Sequence, residues 1–160
     1  MLITRLPRAP RLIATVSALA VLALTAMPST ASAQDRAAQQ TKLRQSVFTV
    51  LGAQVTPMGA MASGRAPYDA AAFELAAQRA AFMATIAPDM FAAGSVASNS
   101  KAKPEIWRNK ADFDKLMADL VDKSAALSQA AKSGSLETVR PAFAALAGTC
   151  KACHDKYKLD

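Results

Sequence analysis

The chain contains a short motif near its C-terminus, Cys150-Lys151-Ala152-Cys153-His154, whose residue types and spacing indicate one kind of chemistry. On a helix, positions i, i+3 and i+4 project from one face, so Cys150, Cys153 and His154 are expected side by side. Two such thiols can form thioether bonds to the vinyl groups of a haem, while the imidazole binds the iron. The motif therefore predicts one covalently attached haem c per chain, with His154 as the metal ligand.

Other uses of these residues fit the sequence less well. A C-x-x-C pair outside the cytoplasm could form a disulfide or a thioredoxin-like dithiol, but that dithiol is expected near the start of a chain in a βαβ context. A zinc site needs a fourth ligand, and the sequence holds only two cysteines and one histidine. An ordinary surface role for His154 is the remaining alternative, and its position directly after Cys153 argues against it.

The first 33 residues have the features of a secretory signal peptide. Three arginines in a cationic start precede an apolar run from Leu12 to Met27, and Ala31-Ser32-Ala33 matches a small-x-small cleavage signal. The apolar run is shorter than the roughly 20 residues that a membrane span needs. We therefore expect residues 1–33 to be removed on export to a bacterial periplasm, leaving residues 34–160 as one mature domain without a membrane segment.

The charge balance argues against some classes of partner. Loss of residues 1–33 removes three arginines and no acids, so the net charge falls from +7 to +4. The remaining basic residues are spread along the chain without a Lys/Arg block, which does not suggest nucleic-acid binding. A chain of this length is expected to form one domain with a modest core.

Apolar residues recur at spacings of three and four in four segments, and no strand-like alternation occurs. The first predicted helix spans residues 35–62 and contains a proline at 57, and the second spans residues 69–87 and is capped by Asp69. The third is capped by Asn109 and ends at Gly134. The fourth runs to the C-terminus. We expect the fourth helix to begin near Thr138 to Arg140, because that start places Pro141 in the first turn. A long connection, 89–108, is anchored by Ile106 and Trp107. This pattern predicts an all-α four-helix bundle.

The position of the haem motif on the last helix resembles the class II cytochromes c, and in particular the cytochrome c′ family. Other matching stretches are Arg44-Gln45, Gly64 to Asp69 (GRAPYD), Ala102 to Trp107 (AKPEIW) and Cys150 to Tyr157 (CKACHDKY). The resemblance covers essentially the whole mature chain. It implies an antiparallel four-helix bundle that holds haem c between the helices, and a homodimer formed through the first two helices.

The resemblance also implies roles for single residues. Arg44 and Gln45 match family positions near the haem propionates, although on sequence alone a solvated charge is the more usual role for an arginine such as Arg44. Lys158 stands where the family usually has an arginine close to the proximal histidine, and lysine keeps the charge without the planar fork. Phe91, at the start of the long connection, is a candidate contact with the haem edge.

Phe48 occupies the family position that points at the open face of the iron. A methionine there gives a six-coordinate, low-spin electron carrier, whereas phenylalanine has no lone pair and implies a vacant but crowded site. Plain core packing is the alternative role for Phe48, and the two roles are compatible. Met58 and Met61 are rival ligands by chemistry, but at 1.5 Å per residue they lie roughly 15–20 Å further along the helix.

These residues lead to an expected function. The resemblance implies a five-coordinate, high-spin haem protein that binds nitric oxide and carbon monoxide, with dioxygen disfavoured because no distal donor is evident. The alternative is a low-spin electron carrier, and either function leaves an unidentified redox partner. An enzymatic role is not expected, because no acid or base is evidently placed over the vacant face and the one histidine is used on iron.

Overall fold

The computed structural model describes residues 30–159. In chain order it contains α1 (Thr30–Ala62), α2 (Ala70–Ile86), a 3₁₀ turn (Ala87–Met90), α3 (Glu105–Arg108), α4 (Lys110–Ala131) and α5 (Leu136–Tyr157). Within residues 30–159 the only pairing of extended backbone is an isolated antiparallel bridge between Ala102 and Lys158. The all-α prediction is therefore confirmed, with the one-turn α3 added to the four long helices.

Most of the predicted signal peptide lies in residues 1–29, outside the described residues. Helix α1 begins at Thr30, five residues earlier than predicted, so the proposed cleavage signal falls in its first turn. Alanine is the strongest helix former, and the Ala31-Ser32-Ala33 stretch is compatible with this extension. In the part of the chain that the structure describes, no helix combines the length and apolarity required to cross a membrane.

The four long helices pack in a ring in which α1 contacts α2, α2 contacts α4, and α4 contacts α5. The contact between α1 and α5 is the sparsest of the four. Helix α2 approaches its neighbours closely because its inward face consists largely of alanines that are fully buried, Ala77, Ala80 and Ala84. The bundle is thus tight on three sides and open where α1 faces α5.

The turns between helices follow the sequence signals. Asp69 caps α2, and its carboxylate accepts a hydrogen bond of 3.0 Å from the backbone N–H of Ala72. Gly64 has a φ of 77°, and the following N–H of Arg65 donates back to the carbonyl of Ala60 at 2.9 Å. This left-handed glycine terminates α1 as predicted, because residues with a Cβ rarely adopt that conformation.

The predicted late start of α5 is wrong. The helix begins at Leu136, after Ser135, whose side chain accepts a hydrogen bond from the N–H of Thr138. Pro141 is therefore the sixth residue of the helix rather than a first-turn residue. Pro141 and Glu137 are both exposed, so the carbonyl of Glu137 that lacks its helical donor can bond to water. Burial of Val139 supports the early turn.

The predicted cap at Asn109 is only half correct. Asn109 does occupy the position before α4, but its side chain makes no capping hydrogen bond. Its backbone N–H instead donates to the carbonyl of Glu105 at 2.9 Å, which closes α3. The resulting φ of −116° and ψ of 45° differ from the extended geometry of a capping side chain.

Candidate haem-binding site

A cavity of about 510 Å³ lies where α1 faces α5, closed by α4 and by the connection between α2 and α4. Its size falls within the roughly 300–1,000 Å³ of pockets that hold small molecules and cofactors. The wall is mainly apolar, formed by side chains such as Leu51, Val55, Ile106, Leu116 and Leu120. Among the described residues, the charged groups that line it are Arg44, Lys101 and Lys158, and no carboxylate does so.

The cysteines and the histidine of the motif lie on the last turns of α5. Cys150, Cys153 and His154 all line this one cavity. Both thiols are free and half-buried, so the disulfide alternative does not describe this structure. Helical spacing therefore brings two thiols and one imidazole to the same wall, as predicted.

The protonation of these groups fits their proposed partner. Burial raises the pKa of the Cys150 thiol, and burial together with Cys150 raises the pKa of Cys153 to about 11. A thioredoxin-like dithiol has a lowered thiol pKa instead. Burial, with a smaller contribution from Lys158, lowers the pKa of His154, which favours the neutral imidazole that binds metals.

Arg44 lies inside the protein and not in solvent, so the alternative of a solvated charge is wrong. It is 4% exposed and lines the cavity. Its guanidinium donates to the carbonyls of Met90 and Ser95 and to three hydroxyls, with distances of 3.0–3.2 Å. The hydroxyls belong to Thr41, Ser95 and Ser100. All these partners are neutral, which leaves a buried positive charge at the cavity wall.

Phe48 and Phe91 form part of a row of aromatic side chains along the cavity. The Phe48 and Phe91 ring centroids are 6.0 Å apart, those of Phe91 and Phe113 are 4.6 Å apart, and those of Phe113 and Tyr157 are 5.4 Å apart. Each pair has an edge-on geometry. Phe48 is half-buried on α1, whereas Phe91 and Phe113 are buried. The row links the α1 wall to the end of α5.

The end of α5 is held in place from two sides. The carboxylate of Asp112 accepts hydrogen bonds from the Tyr157 hydroxyl at 2.6 Å and from the Lys156 ammonium at 2.7 Å. The bond from Lys156 and then the bond from Tyr157 lower the pKa of Asp112, and the same contact raises the pKa of Tyr157 to about 12. On the other side, the N–H of Lys103 donates to the carbonyl of Tyr157 at 2.9 Å.

The remaining predicted residues divide between the cavity wall and the core. Gln45 and Lys158 line the cavity, and the Gln45 amide donates to the carbonyl of Asn99 at 3.2 Å. Met58 and Met61 are buried in the core and do not line the cavity, which agrees with their rejection as ligands. In residues 30–159 no group of three or more His, Cys, Asp or Glu side chains is placed to hold a metal ion.

These residues fit a haem c. Two free thiols and a neutral imidazole share one wall of an apolar cavity of suitable size, which matches covalent attachment and axial ligation. Arg44, buried among neutral partners at the same cavity, supplies a positive charge suited to an anionic propionate.

The comparisons with known proteins agree with this assignment. The model of the Cytochrome C′ family matches residues 39–158. A curated cytochrome c′ from Rubrivivax gelatinosus is 36% identical over 123 residues, which cover 72% of this chain and 90% of that protein. The chain belongs to the cytochrome c′ family.

Solved structures of cytochromes c′ resemble this chain along most of its length. The protein from Shewanella frigidimarina has a TM-score of 0.71 at 37% identity, covering 84% of this chain and 99% of that one. A ferrous variant from Alcaligenes xylosoxidans with bound nitric oxide has a TM-score of 0.72 at 32% identity, covering 78% and 97%. Another variant of that protein has carbon monoxide bound, with a TM-score of 0.71, 31% identity and coverage of 78% and 97%.

A cytochrome c′ binds haem c, and here Cys150 and Cys153 are in position for its attachment. The sequence analysis missed Met117, whose thioether could bind iron; it is 3% exposed and lines the cavity from α4. Its signal was present, because Met117 lies four residues after Phe113 and three before Leu120 on the buried stripe of α4. The sequence analysis also missed Ser95 and Ser100, whose contacts with Arg44 join segments about 50 residues apart.

Proposed function

We propose that this cytochrome c′ binds nitric oxide and carbon monoxide at a vacant axial position of its haem, opposite His154. Phe48 is the observation that supports the vacancy best. Its ring lines the cavity from α1, and it offers no lone pair where a methionine would bind iron. The haem iron supplies the position to which a diatomic ligand binds. The known complexes of the Alcaligenes proteins with both gases support the same function here.

The polar side chains on the α1 wall favour these two gases over dioxygen. Gln45 donates its amide to Asn99, and the hydroxyl of Thr49 donates to the carbonyl of Gln45 at 2.7 Å. The two terminal nitrogens of the Arg44 guanidinium likewise donate to five acceptors. Since stable dioxygen binding relies on a hydrogen-bond donor beside the ligand, this wall discriminates against it. Among the described residues no carboxylate lines the cavity, and its one histidine is assigned to the iron, which supports a non-enzymatic role.

Met117 favours a second candidate function, a low-spin electron carrier. Its thioether lies in the cavity wall and is chemically able to bind haem iron. We prefer the vacant site because Met117 is on α4, which packs closely on the helix that bears His154. A sixth ligand must approach the iron from the side opposite His154, and Phe48 is the residue assigned to that side.

The location and assembly of the protein form part of the proposal. The features of residues 1–33 support export to the periplasm, where haem c is attached to the mature chain.

The outer surfaces of α1 and α2 support a homodimer through these helices. Phe82 is 66% exposed and Val50 46% exposed, and both line a groove between the two helices. The redox partner is expected to be a separate protein.

A Phe48→Met substitution tests the proposed function. In the holoprotein, the native ferrous form should be high-spin and should bind carbon monoxide and nitric oxide with one ligand per haem. The Phe48→Met variant should become low-spin and lose carbon monoxide binding at least in part, because the new thioether competes for the iron. The measurement is an absorption titration of both ferrous proteins.

A Met117→Leu variant is the matched control, since it removes the other thioether of the cavity. It should leave the native high-spin spectrum unchanged. A native protein that is low-spin and becomes high-spin on Met117→Leu would contradict the vacant site and establish the electron-carrier alternative.

A further inference from the structure

Phe91 is the aromatic side chain that is in edge-on contact with Phe48. It is 7% exposed, and its ring meets a separate group on each of three sides. The guanidinium carbon of Arg44 lies 5.0 Å from the ring centroid, the Phe113 ring lies 4.6 Å away, and the Phe48 ring lies 6.0 Å away. Phe91 is thus placed between two groups of the core and the ring that faces the cavity.

The two groups behind Phe91 are themselves fixed. Arg44 is held by five hydrogen bonds, four of which reach residues of the connection that carries Phe91 or of the turn before it. Phe113 is 1% exposed and is also in edge-on contact with Tyr157. Because protein interiors are close-packed, Phe91 has no free space into which it could move away from the cavity.

Phe48 is less firmly enclosed than Phe91. Both rings line the cavity, but Phe48 is half-buried, whereas Phe91 is 7% exposed and packs against Arg44 and Phe113. With haem in the cavity and its vacant face toward α1, a ligand that reached the iron would have to displace the Phe48 ring. The edge-on contact places Phe91 on one of the paths along which the Phe48 ring can turn.

We propose that Phe91 is a positioning residue that acts as a stop behind Phe48, limiting how far that ring can swing and so setting the rate at which diatomic ligands reach the iron. The inference rests on the proposed function of a vacant site beside Phe48. It assigns Phe91 an influence on ligand entry that is exerted through Phe48, in addition to any contact with the haem edge.

A Phe91→Leu substitution gives the first test. The substitution removes the aromatic contact with Phe48. The interaction energy of one aromatic pair corresponds to about a three- to tenfold change in a rate constant. Carbon monoxide should therefore associate about three- to tenfold faster with the ferrous holoprotein. Flash photolysis or stopped-flow mixing measures this rate. Phe73→Leu is the control, because Phe73 is also a buried phenylalanine but does not line the cavity. Its association rate should equal that of the native protein.

A double-mutant cycle with Phe48→Ala shows whether Phe91 acts through Phe48. With the ring at position 48 removed, Phe91→Leu should change the association rate by less than about twofold, since coupled positions are not additive. The same cycle measured on the free energy of unfolding should show coupling between positions 48 and 91. This second readout does not depend on ligand binding.

Three outcomes would overturn the inference. An unchanged rate in Phe91→Leu would show that Phe91 does not limit entry. An equal acceleration in the Phe48→Ala background would show that Phe91 acts on the ligand directly. Failure of the native ferrous protein to bind carbon monoxide would overturn the proposed function and this inference with it, whereas normal binding with an unchanged Phe91→Leu rate would overturn the inference alone.

Discussion

Arg44 illustrates how much the surroundings of one residue decide its role. A buried guanidinium loses its hydration, and five neutral hydrogen-bond acceptors offset that loss here. The same bonds tie α1 to the 3₁₀ turn and to the connection that follows it. Burial also lowers the pKa of Arg44 from its ordinary value. The residue thus fixes one wall of the cavity and places a positive charge there.

Replacement of Arg44 by leucine should therefore destabilise the protein. We expect Arg44→Leu to lower the free energy of unfolding by roughly 2–4 kcal/mol, because several buried acceptors lose their donor at once. Urea unfolding of the holoprotein, followed by circular dichroism, measures the change. Gln45→Ala is the control at the neighbouring exposed position, where one hydrogen bond is lost and the effect should stay below about 1 kcal/mol. Equal stability losses in the two variants would contradict the structural role of Arg44.

Residues of the site differ in how far the sequence could predict them. Cys150, Cys153 and His154 could be placed together because their helical spacing alone brings them to one face. The burial of Arg44 could not be derived in this way, since it depends on Met90, Ser95 and Ser100, which are distant in the chain. The resemblance to a family did indicate a place near the haem, but not the hydrogen bonds that hold Arg44 there.

At the scale of the helices, periodicity predicted which faces are buried better than it predicted where helices start. The core faces of α2, α4 and α5 follow the expected spacing, from Phe73 in α2 to Leu146 in α5. The start of α5 was predicted wrongly because the prediction rested on Pro141 alone, whereas Ser135 caps the helix six residues before that proline. A proline beyond the first turn is tolerated here since the carbonyl it leaves without a donor is on the exposed side.

Helices α1 and α2 both expose apolar side chains on their outer surfaces. Leu43 and Val50 lie seven residues apart on α1, as do Leu75 and Phe82 on α2, and all four are 45–66% exposed. Residues seven apart share one helical face, so each helix presents an apolar stripe to solvent. Such a surface, with the groove beside Phe82, favours a second copy of the chain as its partner.

A charge placed in this face should disrupt the proposed homodimer. We expect Phe82→Glu to convert a dimer to a monomer, because it removes the most exposed large apolar side chain of the groove and would place a carboxylate, which is costly to desolvate, in the interface. Sedimentation velocity of the holoprotein measures the change. Leu159→Glu changes another exposed apolar residue, 44% exposed and outside the groove, and should leave the dimer intact. A native protein that sediments as a monomer, or a Phe82→Glu variant that remains dimeric, would contradict the proposal.

At the scale of the whole molecule, the haem cavity results from uneven packing of the bundle. Three neighbouring pairs of helices pack closely, while α1 and α5 contact each other sparsely and leave the cavity between them. The four long helices, their order and the attachment of haem c could be predicted from the sequence. The shape of the cavity could not, because it depends on how four helix faces meet. The spacing of Met117 marked it as buried, but only this packing shows that it lines the cavity.

The central claim of this account is an axial position that the protein leaves open opposite His154. The most direct measurement is the absorption spectrum of the mature ferrous holoprotein before and after addition of carbon monoxide. A high-spin ferrous spectrum that shifts on addition of the gas is the predicted result, because Phe48 cannot bind iron. A low-spin ferrous spectrum that carbon monoxide leaves unchanged would contradict the claim, and Met117 would then be the first residue to examine as the sixth ligand.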